Sequence, residues 1–253
     1  MIQPPNETPL YVSGLFAKPA HGLPMRPVSS LGLSPSEGIK GDASPEGRSP
    51  RHITLVHRDS LEQHGIDAGA ARVNVVLEGS APSGLASGAA LHIGNTRIRI
   101  TFSCEPCAHG AEMADAPMRR FRMLDRYCGL VVDGGTVDLS DATARVISHA
   151  YEVVPDTFAE RCSWASSRIP RGQVVTGLDF LRAIGASRSY ARVLPRWLTQ
   201  AGRSGAPIHR ILAANFSAPS WCPPYEQILA SEGLNPLEYR NAKFDLSDHL
   251  WSS

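Results

Sequence analysis

A change of hydrophobic pattern near residue 155 most constrains how these 253 residues can fold. Before it, His52-Ile53-Thr54-Leu55-Val56, Arg72-Val73-Asn74-Val75-Val76-Leu77, Ala90-Leu91-His92-Ile93 and Thr96-Arg97-Ile98-Arg99-Ile100-Thr101-Phe102 are short and β-rich. The last two flank a turn at Gly94-Asn95. Leu130-Val131-Val132 and Thr136-Val137-Asp138-Leu139 read as a hairpin around Asp133-Gly134-Gly135. Residues 1 to about 50 are rich in Pro, Gly and Ser. Their apolar islands, Leu10-Tyr11-Val12 and Gly14-Leu15-Phe16, predict an edge strand followed by long loops. After Tyr151-Glu152-Val153-Val154-Pro155 the spacing becomes helical, over Asp156 to Cys162, Gly177 to Ile184, Ser189 to Gln200 and Pro224 to Glu232. The expected fold class is α+β, a curved sheet or barrel over residues 1–155 joined to a small helical domain over 156–253.

The chain is long enough to give each half its own core. Its apolar fraction of 42% and net charge of +1 exclude a disordered chain and a polybasic nucleic-acid arm. The charge is unevenly divided, with 11 Lys and Arg against 8 Asp and Glu after residue 155, and 14 against 16 before it. That gives +3 and −2, a weak pointer toward nucleic acid in the second half. No apolar run is near bilayer-spanning length, and Met1-Ile2-Gln3-Pro4-Pro5 lacks a signal-peptide pattern, so no membrane partner and a cytoplasmic location are expected.

Five cysteines, at 104, 107, 128, 162 and 222, are too few and too odd in number for a disulfide scaffold. Cys104-Glu105-Pro106-Cys107 follows a strand and supplies the best candidate nucleophile, Cys107. The two-residue spacing also permits a redox disulfide with Cys104 as resolving thiol, and a lone pair does not complete a zinc site, so no metal site is expected. Either cysteine can instead be a buried structural residue. A thiolate needs nearby positive charge, for which Arg51, His52, Arg72 and His109 are candidates; His109 can also move a proton or simply occupy the surface. Arg72 and Asn74 share one face of a strand if that segment is extended, and together suit an oxyanion. Asp42 is either a ligand or a turn cap.

Gly38-Ile39-Lys40-Gly41-Asp42, Arg51-His52-Ile53-Thr54-Leu55-Val56, Arg72 to Gly79, Leu91-His92-Ile93-Gly94 and Cys104-Glu105-Pro106-Cys107, in this order, resemble the MOSC family. The resemblance covers most of residues 10–155. It implies a β-barrel whose cysteine, matching Cys107, acts in sulfur transfer or in reduction of N-hydroxylated substrates. It also implies, for some members, bound molybdenum cofactor, a protein persulfide, or a thiol or persulfide donor as partner. The chain departs from the family after Gly41-Asp42, where Ala43-Ser44 replace the usual basic or histidine residue.

Residues 156–253 carry a second resemblance. Ile169-Pro170-Arg171-Gly172-Gln173-Val174-Val175-Thr176, Ala183-Ile184-Gly185, Tyr190-Ala191-Arg192-Val193-Leu194, Pro207-Ile208-His209-Arg210-Ile211, Ser231-Glu232-Gly233-Leu234 and Asp245 to Trp251 are similar to O6-alkylguanine-DNA alkyltransferases and alkyltransferase-like proteins. The resemblance implies a winged-helix-like domain that binds double-stranded DNA in the minor groove and receives an extruded base. Arg192 matches the arginine that fills the vacated space, Glu232 a pocket residue, and His209 the histidine beside the acceptor cysteine. The acceptor position is Ile208, which is no nucleophile, and Gly177 replaces the usual tyrosine; irreversible alkyl transfer is excluded.

Together the two halves predict a thiol-dependent sulfurtransferase or reductase acting on a modified purine or related small molecule recognised with help of the second domain. A non-enzymatic sensor of DNA lesions is one alternative. A biosynthetic enzyme that reuses both folds without DNA is another.

Overall fold

A computed structural model describes residues 9–20, 22–43, 49–80, 84–106 and 108–251. The chain divides into two compact units, one of residues 1–47 and 51–153, the other of 48–50 and 154–253. The first contains β1 (Tyr11–Ala17), β2 (Arg26–Pro27), β3 (Ser30–Ser34), β4 (Gly38–Ile39), β5 (Ile53–His57), α1 (Arg58–His64), β6 (Val75–Glu78), β7 (Ala90–Ile93) and β8 (Thr96–Ser103). It continues through α2 (Ala108–Met113), α3 (Met118–Phe121), β9 (Arg126–Asp133), β10 (Gly135–Asp138) and β11 (Ala144–Ile147). Eight strands form one sheet in the order β11-β7-β8-β9-β5-β6-β1-β2, and β10-β3-β4 form a smaller one. The sheet curls until β1 meets the residues before β11: the Val12 amide donates to the Ala142 carbonyl at 2.8 Å and the Ala144 amide to Leu10 at 2.9 Å. This is the mixed α+β architecture with a curled sheet that the β-rich half predicts.

Strands β5 and β6 run parallel, joined through α1, as a βαβ crossover requires. Leu55, Val75 and Leu77 point into the core inside the curl, with Leu33, Leu91 and Ile100. Their neighbours Val56 and Val76 point the other way, onto Leu61, Ile66, Phe121 and Leu124. Both faces are buried, which explains why these runs read as nearly continuous apolar sequence.

Three local expectations are corrected. The run from Arg72 to Leu77 is not one strand: Arg72 has φ +59°, its amide bonds back to the Gly69 carbonyl, and β6 begins only at Val75. The segment 130–139 is not a hairpin, because β10 leaves β9 to pair with β3. Gly134 serves that route by close approach, since a Cβ there would lie 2.7 Å from the Leu33 carbonyl oxygen. The long loops expected before residue 50 accordingly contain β3 and β4.

The second unit contains α4 (Phe158–Ser166), β12 (Val175–Thr176), α5 (Gly177–Ala183), α6 (Leu194–Arg203), β13 (Ile211–Leu212), α7 (Tyr225–Ser231) and α8 (Leu246–Trp251). Strands β12 and β13 pair in parallel. Helices α4 and α5 start on Thr157 and Thr176, whose hydroxyls accept from the amides of Glu160 and Asp179. The expected helix over Ser189 to Gln200 is split into a 3-10 turn, Arg188–Arg192, and α6. Pro195 in the first turn of α6 lacks the amide that a helix continuing from Tyr190 would need.

Candidate functional site

The exit of β8 beside β9 gathers the chemistry of the first unit. Phe102 pairs with Cys128 and Ser103 with Tyr127, and the Cys104 amide donates to the Arg126 carbonyl at 2.7 Å. Alternation along the two strands therefore puts Phe102, Cys104, Arg126 and Cys128 on one face, with Cys104 diagonal to Cys128. The neighbouring Cys128 thiol acts on the Cys104 sulfur, and Arg126 and Arg51 add positive charge. Together they hold the Cys104 thiol well below its ordinary range although burial opposes it. The same interaction with Cys104, together with burial, pushes the Cys128 thiol up.

Arg126 is only 4% exposed, stacks 4.2 Å above the Phe121 ring centroid, and donates through Nη1 to the Ala71 carbonyl. Its Nε has no hydrogen-bond partner among the described residues. Arg51 lies 5.1 Å over the Phe102 ring and 3.5 Å from Glu105. Cys107 lies outside the described residues, as does the side chain of His109, whose backbone belongs to α2.

Of the expected anion-binding set, only Arg51 acts on Cys104. Asn74 is consumed by structure: its Oδ1 accepts from the Thr54 amide at 2.9 Å and its Nδ2 donates to the Phe16 carbonyl at 3.2 Å, tying β5 and β1 together. His52 is buried and its Nδ1 accepts from the Val131 amide at 3.3 Å. Asp42 accepts from the Lys18 amide at 3.1 Å. Arg72 occupies the turn described above and does not share a strand face with Asn74. A molybdenum cofactor needs several cations and donors converging on its pterin and phosphate. Among the described residues the cations acting on Cys104 are Arg126 and Arg51 alone, fewer than that group needs, so no step is assigned to it.

In the second unit, Glu232 is the centre of a closed polar cluster. Its carboxylate accepts from Arg210 Nη2 at 2.7 Å, from His209 Nε2 at 2.9 Å and from the Gly172 amide at 3.1 Å. Burial alone would push this carboxyl up; Arg210, His209 and Gly172 instead hold it at about 2. Arg210 Nη1 also donates to the Ile169 carbonyl at 2.6 Å. Glu232 and His209 thus fasten the 169–172 turn, the end of α7 and the 208–210 turn to one another. Ile208 is buried, and a Cβ at Gly202 would lie 2.6 Å from its Cδ1, so α6 carries a glycine where this side chain docks. At Gly177 a Cβ would meet Leu194 at 3.4 Å and Trp221 at 3.5 Å, so Trp221 fills space beside the expected tyrosine position.

Arg192 is exposed at the end of its 3-10 turn. Arg188, Arg196 and Arg203 are exposed as well, and none of the four is ion-paired with a described carboxylate. The signal was present in the sequence and lies in an absence: residues 180–225 contain six arginines and no Asp or Glu. Cys128 and Arg126, in contrast, carried no motif that could have singled them out.

No family model and no curated protein matches the chain. Among solved structures it overlaps the YuaD protein from Bacillus subtilis, with TM-score 0.47, 15% identity, 54% of this chain and 93% of that one. It overlaps YiiM from Geobacillus stearothermophilus with TM-score 0.45, 12% identity, 75% and 99% coverage. For YiiM from Escherichia coli the values are 0.43, 19%, 76% and 92%. Overlaps this loose assign neither family nor activity. No helix among the described residues is long and apolar enough to cross a membrane.

Proposed function

We propose that the first unit is a thiol-dependent reductase of an N-oxygenated small molecule, a modified purine or related compound, in keeping with the MOSC resemblance. The observation that carries this reading is the register that sets Cys104 beside Cys128 and Arg126, where its thiol is lowered, three positions from Cys107 in the chain. In the first step the Cys107 thiolate attacks the nitrogen of a hydroxylamine; the N–O bond breaks and the oxygen leaves as hydroxide, which takes a proton from solvent to become water. Cys104 then attacks the Cys107 sulfur, the S–S bond forms, and the N–S bond breaks as the amine takes a proton. An external thiol restores the dithiol. Sulfur transfer fits less well, because a thiolate next to a Cys107 persulfide would discharge it as hydrosulfide.

The test is anaerobic turnover of 6-N-hydroxylaminopurine with a thiol reductant. The wild-type protein gives adenine, and Cys107→Ser gives neither adenine nor a covalent adduct. Adenine formation at an undiminished rate in Cys107→Ser rejects the assignment.

A second reading concerns the second unit and rests on the exposed arginines of the acid-free segment. It is a nucleic-acid-binding face, in keeping with the alkyltransferase-like resemblance, and it carries the DNA-lesion-sensor alternative. Replacing Arg188, Arg192 and Arg196 by glutamine should weaken duplex binding and reduce the slope of log K against log salt by about 0.9 for each phosphate no longer neutralised. Fluorescence anisotropy over a salt series checks this; a wild-type protein that retains no duplex at low salt, or a variant with an unchanged slope, sinks it.

A further inference from the structure

We propose that Cys104 and Cys128 form a redox couple of their own, closing as a disulfide across the ends of β8 and β9 and withdrawing Cys104 from Cys107. The reductase reading above uses only the 104–107 spacing; this couple is set by strand register. Phe102 opposes Cys128, and the Cys104 amide is bonded to the Arg126 carbonyl, which brings the two cysteines to one face as diagonal neighbours. Both are free thiols. The register leaves both side chains on one face at the open ends of β8 and β9, where rotation of the side chains and adjustment of the segment after Ser103 bring the two sulfurs together.

Their accessibility differs in a useful way. Cys104 is partly exposed and its thiol is the one lowered, so it meets an oxidant first; Cys128 is buried and its thiol is raised. With hydrogen peroxide the Cys104 thiolate attacks one oxygen, the O–O bond breaks, and hydroxide leaves, giving the sulfenic acid. The Cys128 sulfur then attacks the Cys104 sulfur. The S–S bond forms, and the sulfenic oxygen departs as water with the Cys128 proton. The buried Arg126 guanidinium stabilises the Cys104 sulfur in the first step. The chemistry of the couple is independent of the proposed catalysis; only its consequence, loss of turnover, rests on that reading.

The test is a non-reducing tryptic map of the full-length Cys107→Ser protein after brief hydrogen peroxide treatment. Trypsin separates Cys104, in peptide 100–119, from Cys128, in peptide 127–145. The principal oxidised product should be these two peptides joined by a disulfide. The link should vanish in Cys128→Ser and also in Cys104→Ser, whose substitution lies at a less buried position. The wild-type protein provides a second measurement, because a Cys104–Cys107 disulfide stays inside peptide 100–119. Cys104 recovered as sulfinic acid with Cys128 still free, or a link that appears only after unfolding, overturns the proposal. So does wild-type protein whose only disulfide lies within 100–119.

Discussion

Glu232→Ala should destabilise the second unit by about 3–5 kcal/mol, the cost of leaving a buried guanidinium without its carboxylate. The Glu232 side chain is 8% exposed and Arg210 15%, so water cannot replace the missing partner cheaply. The pKa gives a consistent magnitude: lowering the carboxyl from its ordinary 4.5 to about 2 corresponds to about 3 kcal/mol. A carboxyl whose pKa is lower folded than unfolded stabilises the fold when ionised. Its contribution is therefore complete above about pH 5 and is lost as the pH falls toward 2. Urea unfolding at pH 7 and at pH 3, followed by tryptophan fluorescence, measures both effects. The wild-type and Glu232→Ala proteins should differ strongly at pH 7 and converge as the medium becomes more acid. A substitution costing under about 1 kcal/mol at pH 7 would show the cluster to be a surface pair.

Cys104→Ser should convert a multiple-turnover enzyme into one that reacts once. Cys107 remains to attack the hydroxylamine, but a serine hydroxyl cannot displace the amine from sulfur, so the covalent adduct accumulates. Mass spectrometry of the intact protein after mixing with substrate should show the adduct in Cys104→Ser and its absence in Cys107→Ser. Steady turnover by Cys104→Ser at the wild-type rate would remove Cys104 from the cycle.

How much of this was legible in the sequence depends on the range over which each feature is specified. The hairpin of β7 and β8 around Gly94-Asn95 and the helix starting after Thr176 were readable because turn and cap chemistry are local. The strand expected at Arg72 failed because a left-handed backbone at a non-glycine residue leaves no mark in composition. The Asp133-Gly134-Gly135 segment looked like a hairpin because its real role, the approach of β3, depends on a partner about 100 residues earlier. At the candidate site, Cys104 and Arg51 were both singled out, yet the thiol that activates Cys104 was not. Cys128 reaches it only through the β8–β9 register, which shifts between Ile100 and Phe102, and no pattern within either strand encodes that offset. In the anion-binding set, Asn74 and the Nδ1 of His52 are engaged by backbone groups of other strands, contacts that no local pattern marks.

The reductase proposal requires a Cys104 thiol lowered by its neighbours. Its most direct test is the rate of iodoacetamide alkylation of Cys104, read by peptide mass spectrometry in the Cys107→Ser protein across a pH series. The rate should be already near its plateau at neutral pH, with an inflection well below the ordinary thiol value of about 8.5, and Arg126→Met should move that inflection upward. An inflection at the ordinary value, unmoved by Arg126→Met, would contradict the account.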